Sequence, residues 1–320
     1  MVNVAPHRAA LLLLSLEAGL IVSWSGGFVG YRFAADHAPV FQISFWRFLI
    51  AALILAPFAW PSARLLSGRA LARHALIGIL AVAGYLGGLA KAIAFDVPSG
   101  LAALMADLVP VAVLLLSMVH RGERPTRTHW LGTGLACAGM IAATAGALRL
   151  GDAPGWAYGL PLLSVLALAL ATLMQKDGAK PDVPLATVLF LHMASATPAF
   201  AVLGWLEGGL APTVTAGYAA SLAWLVVVPT FGGYGLYWLC LNLTSPARVT
   251  SVLYLSPPVT MLWTWLMFDE PLSAGMAAGL GLTLAGLILI ARSPFAARPQ
   301  LCCPMPSAAS VRPIQACTEG

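Results

Sequence analysis

Charge is what this sequence has least of. Only 9% of its 320 residues are Asp, Glu, Lys or Arg, against about 25% in soluble globular chains. So little charge cannot clothe a water-facing surface, which excludes an ordinary soluble domain. Cysteine is also scarce, with five in all. Cys137 and Cys240 fall inside apolar runs; Cys302, Cys303 and Cys317 fall near the C-terminus. No histidine accompanies them at metal-ligand spacing, so no metal site is expected. No nucleophile–base pair or phosphate loop is legible, so neither catalytic residues nor a cofactor is expected and the chain does not read as an enzyme. The formal net charge is +5. It would point to nucleic acid only if the basic residues shared one soluble face. They lie in alternate loops instead, so nucleic acid is not an expected partner.

What the chain does have is hydrophobicity: 60% of residues, with a mean hydropathy of +0.86. A helix crosses the hydrocarbon with roughly 20 apolar residues. Ten such runs are visible. In the first half they lie near 9–33, 39–60, 74–95, 98–119 and 129–148, and in the second near 155–176, 184–206, 219–241, 246–268 and 274–292. The fold class expected is an all-α integral membrane protein in contact with a lipid bilayer. The stretch from Ala9 to about Phe33 is longer than the roughly 7–15 residues of a signal-peptide core, so it reads as the first span. The Pro- and Ala-rich segment after Arg292 reads as a disordered tail.

The sparse cations set an orientation. With the N-terminus in the cytoplasm, thirteen Lys and Arg fall inside and only Arg32 and Arg149 outside, while Arg47 and Lys91 stay within spans. That is a strong positive-inside bias. It predicts ten spans with both termini cytoplasmic.

The halves also resemble each other. A shift of 147 residues sets Pro110 on Pro257, Glu123 on Glu270, Gly132 on Gly279, Gly134 on Gly281, Ala138 on Ala285 and Gly139 on Gly286. The shift covers five spans, an odd number, so the second copy enters the membrane from the opposite side. "HRGERPTRTHWLG" (120–132) carries three arginines, whereas its counterpart "FDEPLSAGMAAGLG" (268–281) carries none. The positive-inside rule asks this of an inverted copy. Inverted repeats are a recurring plan of secondary transporters, which work by alternating access. A non-transporting membrane scaffold is the competing reading.

"GLAALMADLVPVAVLLLSMVHRGERPTRTHWLGTGLACAGM" (100–140) and "ARVTSVLYLSPPVTMLWTWLMFDEPLSAGMAAGLGLTLAGL" (247–287) resemble the signature of EamA-type transporters of the drug/metabolite transporter superfamily. "WSGGFVGYRF" and "FWRFLIAAL" resemble that family's first two helices. The resemblance covers roughly 9–292. It implies two EamA repeats in a bacterial cytoplasmic (inner) membrane and export of small metabolites, often amino acids. The expected organisation is a cytoplasmic N-terminus (1–8), repeat one (9–148), repeat two (149–292) and a cytoplasmic tail (293–320). A monomer already holds both halves; a homodimer is left open.

Charge at the bilayer centre costs roughly 2.5–3.5 kcal/mol per residue, so buried charges are functional candidates. Asp107 and Lys91, in adjacent spans, are expected to pair with each other or to receive a substrate's amine and carboxylate. Asp107 is also a candidate for proton coupling. So is Glu17 in the first span, which resembles the essential glutamate of the small multidrug resistance family; a carboxylate that takes either a proton or a cation is the basis of antiport. A proton-coupled cationic drug exporter using Glu17 is therefore an alternative function. Arg47 is expected as a structural ion pair or helix anchor, and His192 as a packing residue. Tyr234, Tyr237 and Trp238 share a helix face, and with Tyr254, Trp24, Trp263 and Trp265 they are the aromatic candidates for lining a substrate cavity. Gly84, Gly87, Gly88 and Lys91 share another face, either packed tightly or leaving space. Pro110, Pro257 and Pro258 are expected hinges, because proline bends a helix and frees carbonyls.

Overall fold

The computed structural model describes residues 6–97, 99–144, 153–178, 183–269 and 274–292. The expected tail with its three cysteines, Glu270 and the first residues of both the N-terminal segment and repeat two lie outside the described residues. The described residues contain no β-strand; the architecture is all-helical. The helices are α1 (Pro6–Ala34), α2 (Val40–Ala63), α3 (Gly68–Ala94), α4 (Ser99–Ala106), α5 (Val109–Arg121) and α6 (Arg127–Thr144). There follow α7 (Gly159–Gly178), α8 (Leu185–Leu206), α9 (Ala216–Leu243), α10 (Pro246–Ser251), α11 (Ser256–Phe268) and α12 (Ala274–Ala291).

Seven helical stretches among the described residues are long and apolar enough to cross a membrane, and α12 carries a shorter apolar run, Ala277–Ala291. The two other expected spans differ from the simple apolar helix. The run 129–148 overlaps α6, which opens on Arg127 and His129. The run 246–268 is divided into α10, a 3-10 turn at Val252–Leu255, and α11.

The packing exchanges elements between the halves. Helix α1 packs on α9 and α11, while its counterpart α7 packs on α3 and α5. Helices α6 and α12 cross at the glycines of the sequence repeat. A methyl group on Gly139 would lie 2.5 Å from the Thr283 amide nitrogen and 2.6 Å from the Gly279 carbonyl oxygen. One on Gly286 would lie 2.6 Å from the Gly132 carbonyl oxygen. Gly132 faces Gly286 as Gly279 faces Gly139, which is the pairing a two-fold relation produces. Small residues let membrane helices approach this closely.

The turns repeat as well. Helix α5 ends on Gly122 at φ 62° and α11 ends on the equivalent Asp269 at φ 53°. Glycine adopts that left-handed conformation freely; Asp tolerates it because its short side chain can bond locally.

Each half also contains an interrupted helix before that turn. Helices α4 and α5 are separated at Asp107–Leu108, and α10 and α11 by the 3-10 turn that holds Tyr254. The expected proline kinks take a different form. Pro110 and Pro257 occupy the first positions of α5 and α11, where a missing N–H costs nothing. The chain stops and restarts there rather than bending within one helix.

A second paired irregularity was not legible from the sequence. Helix α3 contains a π-helical segment at Ile79–Gly84, and α9 contains one at Val226–Tyr234. Segments of this kind widen a helix locally and often mark functional sites. Pro229 lies inside the second and removes one hydrogen bond from the ladder.

Candidate functional site

The π segment of α9, and the part of α3 that directly follows its own π segment, face a small cavity of about 50 Å³. Its lining includes Trp24, Tyr31, Arg47, Tyr85, Pro229 and Tyr234. Trp24 stands at the centre of an aromatic group. Its ring lies 6.2 Å from Tyr85, 5.4 Å from Tyr234 and 5.4 Å from Tyr237. The Tyr234 hydroxyl donates to the Ala81 carbonyl at 3.0 Å, which ties the π segment of α9 to that of α3. The Tyr237 hydroxyl meets Thr172 Oγ1 at 2.6 Å.

Arg47 is 1% exposed. Its Nε donates to Thr230 Oγ1 at 2.7 Å, and its Nη1 donates to the Tyr31 hydroxyl at 3.1 Å. Thr230 donates on to the Leu225 carbonyl at 2.9 Å. Tyr31 meets Ser44 Oγ at 2.8 Å, and Ser44 donates to the Val40 carbonyl at 2.6 Å. An arginine can only donate. Both hydroxyls therefore accept from it and point their own protons away. The guanidinium also lies 4.7 Å from the centre of the Phe48 ring. The expected ion pair is not seen: among the described residues Arg47 has no carboxylate within salt-bridge distance.

Asp107, 8% exposed, lies at the α4–α5 break, with Tyr85 and Tyr254 as its electrostatic neighbours. Tyr85 thus stands between the Arg47 cavity and Asp107. Lys91 is elsewhere. Its ammonium lies 5.7 Å from the Phe41 ring and 5.6 Å from the Phe95 ring, and it interacts with Glu207 at the end of α8. No ion pair joins Asp107 to Lys91 among the described residues. The glycine face before Lys91 is closed by packing: Gly84 abuts Ala167, and Gly88 abuts Ser164.

Glu17, expected as a proton-coupling carboxylate, is held by Arg248, which sequence reasoning left on the cytoplasmic side. Arg248 Nε donates to Oε1 at 2.7 Å and Nη2 to Oε2 at 3.2 Å, a two-pronged pair. The pair lies at the edge of an apolar crevice of about 470 Å³ between α1, α10–α11 and α12. Several of its lining residues, such as Leu14, Val22 and Ile288, are exposed on the outer surface of the bundle.

Of the aromatic candidates, Trp24 and Tyr234 line the central cavity. Tyr237 and Trp238 lie one turn further along α9, fully buried, with Trp238 set edge-on to His192 at 5.2 Å. The Tyr254 hydroxyl accepts from Cys137 Sγ at 3.7 Å. Trp263 donates to the Val22 carbonyl at 3.1 Å, and Trp265 is exposed. Sequence reasoning passed over Tyr31, Ser44, Tyr85 and Thr230. The signal was faint: Gly26 and Gly30 around Tyr31 let α1 approach the π segment of α9. A methyl on Gly30 would lie 2.7 Å from Trp224 and Leu225.

Residues 10–145 and 155–292 each match the EamA-like transporter family. The chain belongs to that family. It is a transporter of the EamA type, with the EamA unit present twice. It is 26% identical over 294 residues to the uncharacterized inner membrane transporter YedA of Escherichia coli K12, covering 88% of this chain and 92% of that protein. It is 29% identical over 280 residues to a probable terminal-alkyne amino-acid exporter of Streptantibioticus cattleyicolor, covering 85% and 91%. A solved structure 17% identical in sequence superposes with a TM-score of 0.73 over 87% of this chain and 95% of that one, a likeness of fold alone.

Proposed function

We propose that this EamA transporter exports a small amino-acid-like metabolite across the bacterial cytoplasmic membrane by alternating access. In this reading ten spans, with α4–α5 and α10–α11 each forming one broken span, leave both termini in the cytoplasm. The halves, meeting at 148–149, rock about the central cavity. One observation carries the reading. The π segment of α9, the stretch of α3 just after its own π segment and the α4–α5 break bring buried side chains of both charge signs to the surroundings of Trp24, Tyr85 and Tyr234. Discontinuous helices at a repeat interface are where secondary transporters build substrate sites. The likeness to an amino-acid exporter supports the same substrate class.

Asp107 is the coupling carboxylate in this scheme. It holds a proton or the substrate's ammonium but not both, and that exclusion is antiport. Glu17 is less suited, because Arg248 already satisfies both of its oxygens. The same pairing weakens the cationic drug exporter. Pro110, Pro257 and Pro258 mark where the broken spans flex. Lys91, beside Glu207, serves the entrance rather than the central site.

The test is flux in liposomes. Purified protein should carry at least one radiolabelled amino acid saturably, and an imposed pH gradient should accelerate it. Asp107→Asn should lower the gradient-driven rate at least tenfold. Absence of saturable flux for all twenty amino acids would remove the amino-acid reading.

A further inference from the structure

Two buried charges of the membrane region, Arg47 and Asp107, have no ion-pair partner among the described residues. Glu17 is paired with Arg248, and Lys91 is in electrostatic reach of Glu207 without a salt bridge among the described residues. Arg47 carries a guanidinium cation. It is buried, and among the described residues its hydrogen-bond and ring contacts are neutral: Thr230 Oγ1, the Tyr31 hydroxyl, and the Phe48 and Tyr31 rings. Neither hydroxyl can supply the missing negative charge, because each is a link in a chain that ends on a helix carbonyl.

An uncompensated guanidinium in a low-dielectric setting is costly. Its two fixed hydrogen bonds use Nε and Nη1, leaving Nη2 without a bond among the described residues. The group lines the central cavity beside Trp24, Tyr85 and Tyr234. The hydroxyl contacts fix its plane, so the free edge is a pre-oriented fork. A carboxylate is the ligand whose two oxygens match such a fork.

We propose that Arg47 is the receptor for a carboxylate on the transported molecule, so that the substrate class is a small monocarboxylate. Its bound charge compensates the guanidinium, and a substrate ammonium turns past Tyr85 toward Asp107. The assignment rests on the central cavity being the substrate site. It replaces Lys91 with Arg47 as the carboxylate-binding residue. Tyr31 and Thr230 are positioning residues: they hold the guanidinium plane and do not touch substrate.

The experiment compares matched ligands on the unmodified protein by thermal shift and by flux in liposomes. One set is L-leucine, L-leucinamide, 3-methylbutylamine and 4-methylpentanoate, with the other nineteen amino acids as a wider panel. Ligands with a free carboxylate should stabilise the protein. The amide and the amine should bind at least tenfold more weakly. Thr230→Val should weaken carboxylate ligands several-fold while leaving the unliganded protein folded. Arg47→Lys should do so more strongly, because an ammonium lacks the fork.

Equal responses to leucine and leucinamide, or to another amino acid and its amide, would overturn the assignment and leave amino-acid transport intact. Response to 4-methylpentanoate but to no amino acid would uphold Arg47 and overturn the amino-acid reading. No response to any carboxylate would overturn the Arg47 assignment.

Discussion

At the scale of single residues, the outcome depends on which charge faces which. The Glu17–Arg248 pair makes two charge-assisted hydrogen bonds with the carboxylate 8% exposed and the arginine side chain 44% exposed. Arg248→Ala strands that carboxylate, and a loss of roughly 1–3 kcal/mol is expected. The arginine's exposure keeps the figure below that of a fully buried pair. Glu17→Gln retains an acceptor and should cost less. A double-mutant cycle by denaturant or thermal unfolding measures the coupling. Glu17→Gln should also keep gradient-driven flux; its complete loss in a stable protein would return the coupling role to Glu17. The four ionisable residues of the spans were legible in the sequence because charge is rare there. Their partners were not, since Arg248 meets Glu17 across 231 positions of chain and nothing local records it.

At the scale of elements, the repeated glycines divide into two kinds. Gly139 and Gly286 sit where α6 and α12 touch, whereas Gly134 and its repeat partner Gly281 have nothing within 4 Å of an added methyl. Gly139→Ala should therefore destabilise by about 1–3 kcal/mol through forced separation of the helices. Gly134→Ala should be neutral or stabilising by up to about 1 kcal/mol. Thermal melts in detergent compare the two directly. The helix-ending residues make a third pair. Asp269→Gly relieves a left-handed backbone at φ 53° and should stabilise by up to about 1 kcal/mol. Gly122→Ala, at φ 62°, should destabilise by a similar amount. Sequence periodicity gives helices and proline marks their interruptions. It cannot give π segments, because inserting one residue into a turn leaves an apolar run looking like any other apolar run.

At the scale of the whole molecule, inversion is the property to test. Arg124 and Asp269 lie in equivalent turns, both exposed. In a cysteine-free background, Arg124→Cys should be labelled from the cytoplasmic side and Asp269→Cys from the outside by a membrane-impermeant maleimide. Labelling of both from one face would break the inverted-repeat reading. The sequence by itself determined the membrane class, the duplication and the family, because each is written in composition or in spacings along one chain. Even the loss of arginine between "HRGERPTRTHWLG" and "FDEPLSAGMAAGLG" is a one-dimensional signal. Only the tertiary structure decided that Glu17 is held by Arg248, that Lys91 interacts with Glu207, and that Arg47 is left with neutral neighbours in a cavity beside the π segment of α9. Electrostatic energy depends on distance and burial, and the fold sets both by joining residues the sequence keeps far apart.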